Sequence, residues 1–412
     1  MSIDLTPPSG TRALSYKRYR YFWLAIILMT FGVQIMSVSV GWQIYDITRN
    51  PLFLGYVGLS LFLPSFLLVL VTGWTADRFP RRAIIAIAIS VEVLCALVLL
   101  FFALNADQEI AHIYVVLVAL GTARAFMGPA AGSLAPNLVP PEALANAVAL
   151  NATAWQFANI AGPAVGGLLY GVGAHYAYGT AALLASLAVC SVMMIERPPQ
   201  KKSNEATSIA TVLAGFRYIW KQKVVLGAIS LDLFAVLLGG AVALLPVYAR
   251  DILQVGPEGL GMLRAAPGVG AIVVVLIVTR FPVRDHAGLI LFGFVAAFGA
   301  FTAVFGLSTN VWLSIFALAM VGGCDMVSVI IRDTIMQLWT PDEVRGRVNA
   351  VNSVFIGASN ELGEFRAGVV AAKWGTVFAV AGGGLATMAI AATWSVLFPG
   401  LRRQRGIDKA EV

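Results

Sequence analysis

Apolar residues fill this chain in long runs, and short clusters of charge, glycine and proline punctuate them. A helix of about 20 mostly apolar residues is enough to cross a bilayer. Windows of that size predict twelve helices, at roughly 21–47, 52–76, 83–104, 112–133, 145–172, 176–195, 224–250, 258–281, 287–306, 311–338, 348–371 and 374–398. The period-two alternation of barrel strands does not occur, so the pattern predicts an all-α integral membrane protein. The longest hydrophilic stretch, 196–223, divides the helices six and six. The expected organisation is an N-terminal six-helix bundle over 1–195, a linker over 196–223, and a C-terminal six-helix bundle with its tail over 224–412. Inside the linker, Ile209, Val212, Leu213, Phe216, Ile219 and Trp220 recur at helical spacing, with Arg217 and Lys221 on the other side. That predicts a short amphipathic helix lying on the membrane surface.

Composition agrees with the pattern. The chain is 59% hydrophobic and 12% charged, against about 45–50% and about 25% in soluble domains. Mean hydropathy is +0.84. The net charge of +7 carries topological information. Cations crowd the N-terminal tail, the turns after the second, eighth and tenth predicted spans, the middle loop and the C-terminal tail. The opposite side holds only Arg49, Arg250 and Lys373, while Arg124, Arg264, Arg332 and Arg366 fall inside spans. Lys and Arg accumulate on the cytoplasmic side, so both termini are expected in the cytoplasm. The basic balance therefore reflects membrane orientation, and no soluble basic domain is present to bind nucleic acid. The first apolar run follows a basic tail, is long and lacks a small-residue cleavage site, so it reads as an uncleaved insertion signal. Cys95, Cys190 and Cys324 lie within spans and read as packing residues without a disulfide. His112, His175 and His286 are isolated from one another, and no metal or other cofactor is expected. No nucleotide-binding loop of the GxxxxGK[ST] kind occurs, which argues against an enzyme and for energy drawn from a gradient.

The two halves share an internal echo at an offset of about 200. Pro141-Glu142 answers Pro341-Asp342, and Asn151, Asn159 and Gly162 answer Asn352, Asn360 and Gly363. Asp46-Ile47 resembles Asp251-Ile252, and Gly58 and Pro64 share their spacing with Gly261 and Pro267. Parallel six-span repeats around a central cavity are one transporter architecture.

Between the second and third spans lies Gly73-x-x-x-Asp77-Arg78-x-x-Arg81-Arg82, one acid among three cations. This segment matches the 2–3 loop motif of the major facilitator superfamily, which the chain resembles over nearly its whole length. Arg124-x-x-x-Gly128 resembles that family's fourth-span arginine motif. Gly162-Pro163-Ala164-Val165-Gly166-Gly167 matches the core of its antiporter motif, without the upstream glycines of the full form. Asp232-Leu-Phe-Ala-Val, Ala243-Leu-Leu-Pro-Val-Tyr-Ala, Leu263-Arg-Ala-Ala-Pro and Ala358-Ser-Asn-Glu-Leu-Gly-Glu-Phe resemble the enterobactin-exporter-like branch, which includes siderophore and drug efflux proteins. The resemblance implies two pseudo-symmetric six-helix bundles. It also implies that Asp77 meets the cytoplasmic start of span 11, near Arg347, when the protein is open outward. A carboxylate at such a helix N-terminus gains about 0.3–1 kcal/mol. Gly73, Asp77, Arg78, Arg81, Arg82 and Arg347 are then expected to form a conformational gate. The counterpart after span 8, Thr279 to Asp285, keeps cations and a proline but not the Gly-Asp-Arg order.

An ionisable side chain inside a span costs about 2.5–3.5 kcal/mol or more and usually faces a cavity or a partner. Glu92, Arg124, Asp232, Arg264, Asp325, Arg332, Asp333, Glu361, Glu364 and Arg366 qualify. Spans 1, 4, 7 and 10 line the cavity in the superfamily, which singles out Asp232, Asp325 and Arg124. Arg124 and Asp325 sit at matching places in the two halves and are expected to face each other. The plainer reading is a static ion pair. Glu361 and Glu364 share a helix face, as a gate pair or as a packing network with Arg264 or Arg366. Gln34, Asn151, Trp155, Asn159, Asn352 and Asn360 are candidates for a substrate cavity, or for interhelical hydrogen bonds. Gly162, Pro163, Gly166 and Gly167 bend span 5 and let a neighbouring helix approach.

These features favour a proton-coupled exporter of an amphiphilic small molecule, siderophore or drug-like, working by alternating access as a monomer in the bacterial inner membrane. Its partners are the substrate, protons and the lipid bilayer. The alternatives are a nutrient importer or uniporter of the same fold and, more remotely, a membrane sensor.

Overall fold

The computed structural model describes residues 12–105, 109–196, 209–281 and 285–404. Each predicted apolar window falls on helix. The first six windows map to α1 (Lys17–Thr48), α2 (Pro51–Leu67) with α3 (Val69–Arg78), α4 (Arg81–Leu104), α5 (Ile110–Leu134), α6 (Pro141–Val172) and α7 (Ala174–Met193). The linker carries α8 (Ile209–Lys221), followed by α9 (Lys223–Gly239), α10 (Leu245–Val247), α11 (Pro257–Arg280), α12 (Ala287–Leu307), α13 (Val311–Trp339), α14 (Asp342–Trp374), α15 (Thr376–Leu397) and α16 (Pro399–Arg402). Local chemistry sets several boundaries. Pro141 and Pro257 open α6 and α11, where the missing N–H costs nothing. Asn310 caps α13, its Oδ1 accepting from Trp312 N at 2.9 Å and Leu313 N at 3.1 Å. Gly375, at φ 90°, makes the left-handed turn from α14 into α15.

Two predicted spans are not continuous. The second bends by 58° between α2 and α3, past Pro64, which cannot donate to the helix ladder. The seventh stops at Gly239. It resumes through a 3-10 turn (Val242–Leu244), α10 and a π-turn (Tyr248–Ile252), because Gly239, Gly240 and Pro246 weaken helix there.

Among the described residues, nine helices are long and apolar enough to cross a membrane, or ten if the bent α2–α3 pair is one span. The two remaining predicted spans are α6 and α14, with 32 and 33 residues. Both are long enough to span. Asn146, Asn151, Gln156 and Asn159 on α6, and Glu361, Glu364 and Arg366 on α14, dilute their apolar character.

The chain packs as two units. One takes Met1–Ser39 and Leu63–Ala206, the other Val40–Phe62 and Thr207–Val412. The end of α1 and most of α2 thus belong with the second half of the chain. In the first unit α4 packs on α5 and α7. The core there joins Phe22, Ile85, Ile89, Ala123, Met127, Ala188 and Val192. In the second unit α12 lies between α13 and α15, and α11 packs on α13, around Leu231, Leu291, Phe292, Ile331 and Ile335.

The linker helix also packs on the rest of the second unit. Ile219 is buried in a cluster with Val225, Met336 and Val348, and Tyr218 donates to the Trp339 carbonyl at 2.5 Å. Phe216 and Trp220 stack on each other and stay exposed. One helix face therefore docks on the protein, and the partly exposed Phe216 ring also meets Phe355, 6.2 Å between centroids. The side chains of Ile209, Val212 and Leu213 lie outside the described residues. So do Pro282, Val283 and Arg284 of the turn after span 8.

Candidate functional site

Most intramembrane charges of the second unit gather in two clusters. In the first, Arg332 on α13 donates through Nη1 to Asp232 Oδ2 on α9 at 2.5 Å, and both side chains are nearly buried. Arg332 Nε also donates to the Ser328 carbonyl at 3.3 Å. Asp325 sits two turns earlier on α13, and its electrostatic neighbours are Arg332 and Asp232. Asp232, Asp325, Ser328 and Phe298 line a void of about 10 Å³, room for roughly one water and no substrate. One guanidinium thus lies near two partly buried carboxylates and bonds one of them. Asp333 faces outward and is exposed.

The second cluster forms where α14 crosses α2. The space beside Gly58 is taken by Glu364 Oε2 and Glu361 Oε2, which lie 3.1 Å and 3.2 Å from where a Cβ would stand. The two carboxylates therefore converge, as their spacing on one helix face predicts. Arg264 on α11 is the charge opposing Glu364. Arg366 points elsewhere: its Nε and Nη2 are buried without a hydrogen-bond partner, beside Gly383 of α15. Close approach of α2 and α14 depends on small residues. A Cβ on Gly368 would stand 2.8 Å from Gly55 Cα.

At the far end of α1 a third group of charges lies in the same unit. Arg250 Nη2 donates to Asp46 Oδ1 at 2.5 Å and its guanidinium covers the Trp42 ring, 5.3 Å from the centroid. Arg49 reaches Asp251 at 3.5 Å and Asp46 at 3.6 Å. The Tyr45 hydroxyl donates to Asp251. Trp42 is accordingly buried, under a cation. Sequence reading met Asp46 and Asp251 only as a repeat echo and missed this cluster. Two acids each beside an Arg at the ends of spans 1 and 7 are the signal that marks it.

In the first unit Arg124 is half-buried on α5, and its electrostatic partner there is Glu92 of α4. Arg124 and Asp325 belong to different units, and each has a counterion within its own. The amides of α6 are also engaged locally. Gln34 donates to Asn159, and Asn151 accepts from the Tyr19 hydroxyl at 2.9 Å. Trp155 is exposed. In the second unit Asn352 is half-buried, and exposed Asn360 donates to the Ile356 carbonyl at 2.9 Å. The α6 glycines admit α1: a Cβ at Gly162 would stand 2.6 Å from Gln34 Cβ, and one at Gly166 2.9 Å from Ile35 Cα. Pro163 and Gly167 are buried in the same stretch.

The charged turn has a concrete local role. Arg81 Nη1 donates to the Ser133 carbonyl at 2.9 Å, at the end of α5. Arg82 Nη2 donates to the Met193 carbonyl at 2.6 Å, at the end of α7. Terminal helix carbonyls lack internal partners and favour cations, so these arginines fasten the α3–α4 turn to two neighbouring helix ends. Arg78 covers the Trp74 ring at 5.0 Å. Gly73 and Asp77 are half-buried. Arg347 is exposed in the other unit, where α8 crosses its backbone closely: a Cβ on Gly215 would stand 2.7 Å from the Arg347 carbonyl oxygen. Among the described residues, no group of three or more His, Cys, Asp or Glu is arranged to hold a metal.

Comparison with known proteins places this arrangement. The model of the transmembrane secretion effector family matches residues 9–407. The chain belongs to that family, whose members are major facilitator transporters and not enzymes. It is 26% identical over 403 residues to the enterobactin exporter EntS of Escherichia coli O1:K1, which covers 95% of this chain and 94% of that protein. EntS of Shigella boydii serotype 18 matches to the same extent. A D-xylose–proton symporter superposes with a TM-score of 0.72 at 12% identity, over 95% of this chain and 99% of its own. A bacterial homologue of the iron transporter ferroportin gives 0.69 at 15% identity, over 94% and 99%. These structures establish the major facilitator fold. The chain is a multi-pass integral membrane protein that moves a small molecule.

Proposed function

We propose that this protein is a proton-coupled exporter of an amphiphilic small molecule, siderophore or drug-like, with both termini in the cytoplasm of a bacterial cell. The observation that carries the reading is the shared guanidinium of Arg332. It is bonded to Asp232 and acts on Asp325, around a void the size of a water. Two carboxylates and one cation leave one negative charge uncompensated in the membrane interior, and a proton removes it. A proton taken up here selects one conformation, because a ligand shifts an equilibrium only through differential affinity. The halves then rock around a substrate site near the midplane. The likeness to enterobactin exporters and the Gly162–Gly167 segment support outward transport of an amphiphilic small molecule.

Two arms test it. In inside-out vesicles, an imposed proton gradient (acid inside) should drive accumulation of exported solute, and uptake driven the opposite way would point to an importer. Medium from iron-limited cells with and without the protein should differ in a secreted iron-binding compound. Identical media would remove the siderophore class and leave drug-like solutes.

A further inference from the structure

The first unit contains a buried acid of its own, apart from the Asp232–Asp325 site. Glu92 lies at mid-length on α4, on the buried stripe Ile85, Ala88, Ile89, Cys95, Ala96 and Leu99. Its side chain is 2% exposed, and its Oε2 is buried without a hydrogen-bond partner. The surroundings are the apolar core of α4, α5 and α7. The titratable groups facing it are Arg124 on α5 and the Cys95 thiol one turn along α4. On α7 no charged side chain lies between His175 and Glu196. Arg124 makes no ion pair or hydrogen bond among the described residues. Glu92 and Arg124 are thus an acid and a base facing each other across apolar packing, without a bond between them.

A fixed structural pair is built differently. A buried pair that only holds helices together is bonded directly, because an unbonded buried charge is costly, whereas Glu92 Oε2 has no hydrogen-bond partner. A buried carboxylate oxygen left bare is costly when ionised and tolerable when protonated. A guanidinium whose charge reaches the carboxyl keeps the ionised form accessible. The arrangement therefore suits a group that exchanges its proton.

We propose that Glu92 is a proton-binding site of the first unit, distinct from the Asp232–Asp325 site, with Arg124 as the counterion of its ionised form. Taking up a proton at Glu92 releases Arg124, which then presents an uncompensated cation to an anionic oxygen of a solute, such as a carboxylate or catecholate. The consequence for transport rests on the exporter reading, whereas the proton site itself does not.

Infrared difference spectroscopy of the full-length protein in liposomes, titrated from pH 4 to pH 9, reads the site directly. Wild type should show a protonated-carboxyl C=O band that is absent from Glu92→Gln. Its pH profile should move in Arg124→Gln and stay in place in Asp325→Asn. Should Glu92→Gln fail to fold, Glu92→Asp should shift the band's frequency. Wild-type and Glu92→Gln spectra with the same titrating bands, or a profile indifferent to Arg124, would overturn the proposal. Proton-driven export measured on the same wild-type liposomes separates the two claims. Its absence counts against the exporter reading while the carboxyl band still decides on Glu92.

Discussion

Arg250 donates to Asp46 at 2.5 Å, tying the end of α1 to the π-turn that closes the seventh span. The relationship is reciprocal. Asp251, which stands in the repeat where Asp46 stands, accepts from Tyr45 and pairs with Arg49. The backbone repeats it too: Arg49 and Gln254, each three residues after its aspartate, both adopt left-handed conformations, at φ 51° and 54°. Two repeat-related turns thus exchange charges. Residues 40–62 consequently count among the second compact unit although they continue the spans of the first.

Breaking this crossed latch should free the end of α1. The pair is partly exposed, so Asp46→Asn should cost about 1 kcal/mol or less in stability. The sensitive readout is access. With the native cysteines replaced, Thr48→Cys should react several-fold faster with an impermeant maleimide in the Asp46→Asn background. Exchanging the charges, Asp46→Arg with Arg250→Asp, should restore slow labelling. Equal rates in all three would show that the latch holds nothing.

The Asp232–Arg332 pair should behave differently, because both side chains are nearly buried. Removing one partner strands a charge and should cost about 3–5 kcal/mol, while replacing both by apolar residues of similar volume should cost far less. Thermal unfolding in detergent would show Arg332→Met well below wild type. The double variant with Asp232→Leu should recover most of the loss. Additive losses would mean that the two groups do not act as a pair.

The α6 glycines give a steric prediction. Gly166→Leu forces a side chain into the α1 backbone at Ile35, and overpacking of this kind costs about 1–3 kcal/mol. Gly132→Ala, where an added Cβ meets nothing within 4 Å, should be neutral or slightly stabilising. The difference in melting temperature between the two variants checks the role of the Gly162–Gly167 segment as a contact surface for α1.

One pH effect has a definite sign. Arg18 donates to Glu196 from Nη2 at 2.7 Å and Nε at 3.0 Å. These bonds, and the charge behind them, hold the exposed Glu196 carboxyl below its ordinary value. A carboxyl lowered by folding adds stability above its unfolded value, about 4.3, and loses it as pH falls through the folded one. Glu196→Gln should therefore melt slightly earlier than wild type at pH 7 and together with it once the pH is well below 4. A gap that persists in acid would contradict the pairing.

How much of this was legible in the sequence depended on whether the information runs along one helix or between two. Apolar run length located the helices, and residue spacing put Glu361 and Glu364 on one face. The polar helices α6 and α14 stood out through their amides and charges. Partner choice between helices is a matter of packing angle, which spacing does not encode. Arg332 therefore reads as the neighbour of Asp333 in sequence, yet it bonds Asp232 on another helix. Arg124 is expected opposite Asp325 from the repeat, yet Glu92 is the acid beside it within its own unit. Phe216 and Trp220 fit the apolar stripe of the linker helix, but Gly215 lets α8 lie against α14, and both rings stay partly exposed with Phe216 beside Phe355.

We propose that Asp325, beside the Asp232–Arg332 pair, carries the coupling proton. Its most direct test is solute-driven proton movement in liposomes holding either wild type or Asp325→Asn, with correct folding confirmed by melting temperature. Wild type is expected to move protons against solute, and the variant to bind solute but move no protons. Proton movement in Asp325→Asn equal to wild type would contradict it.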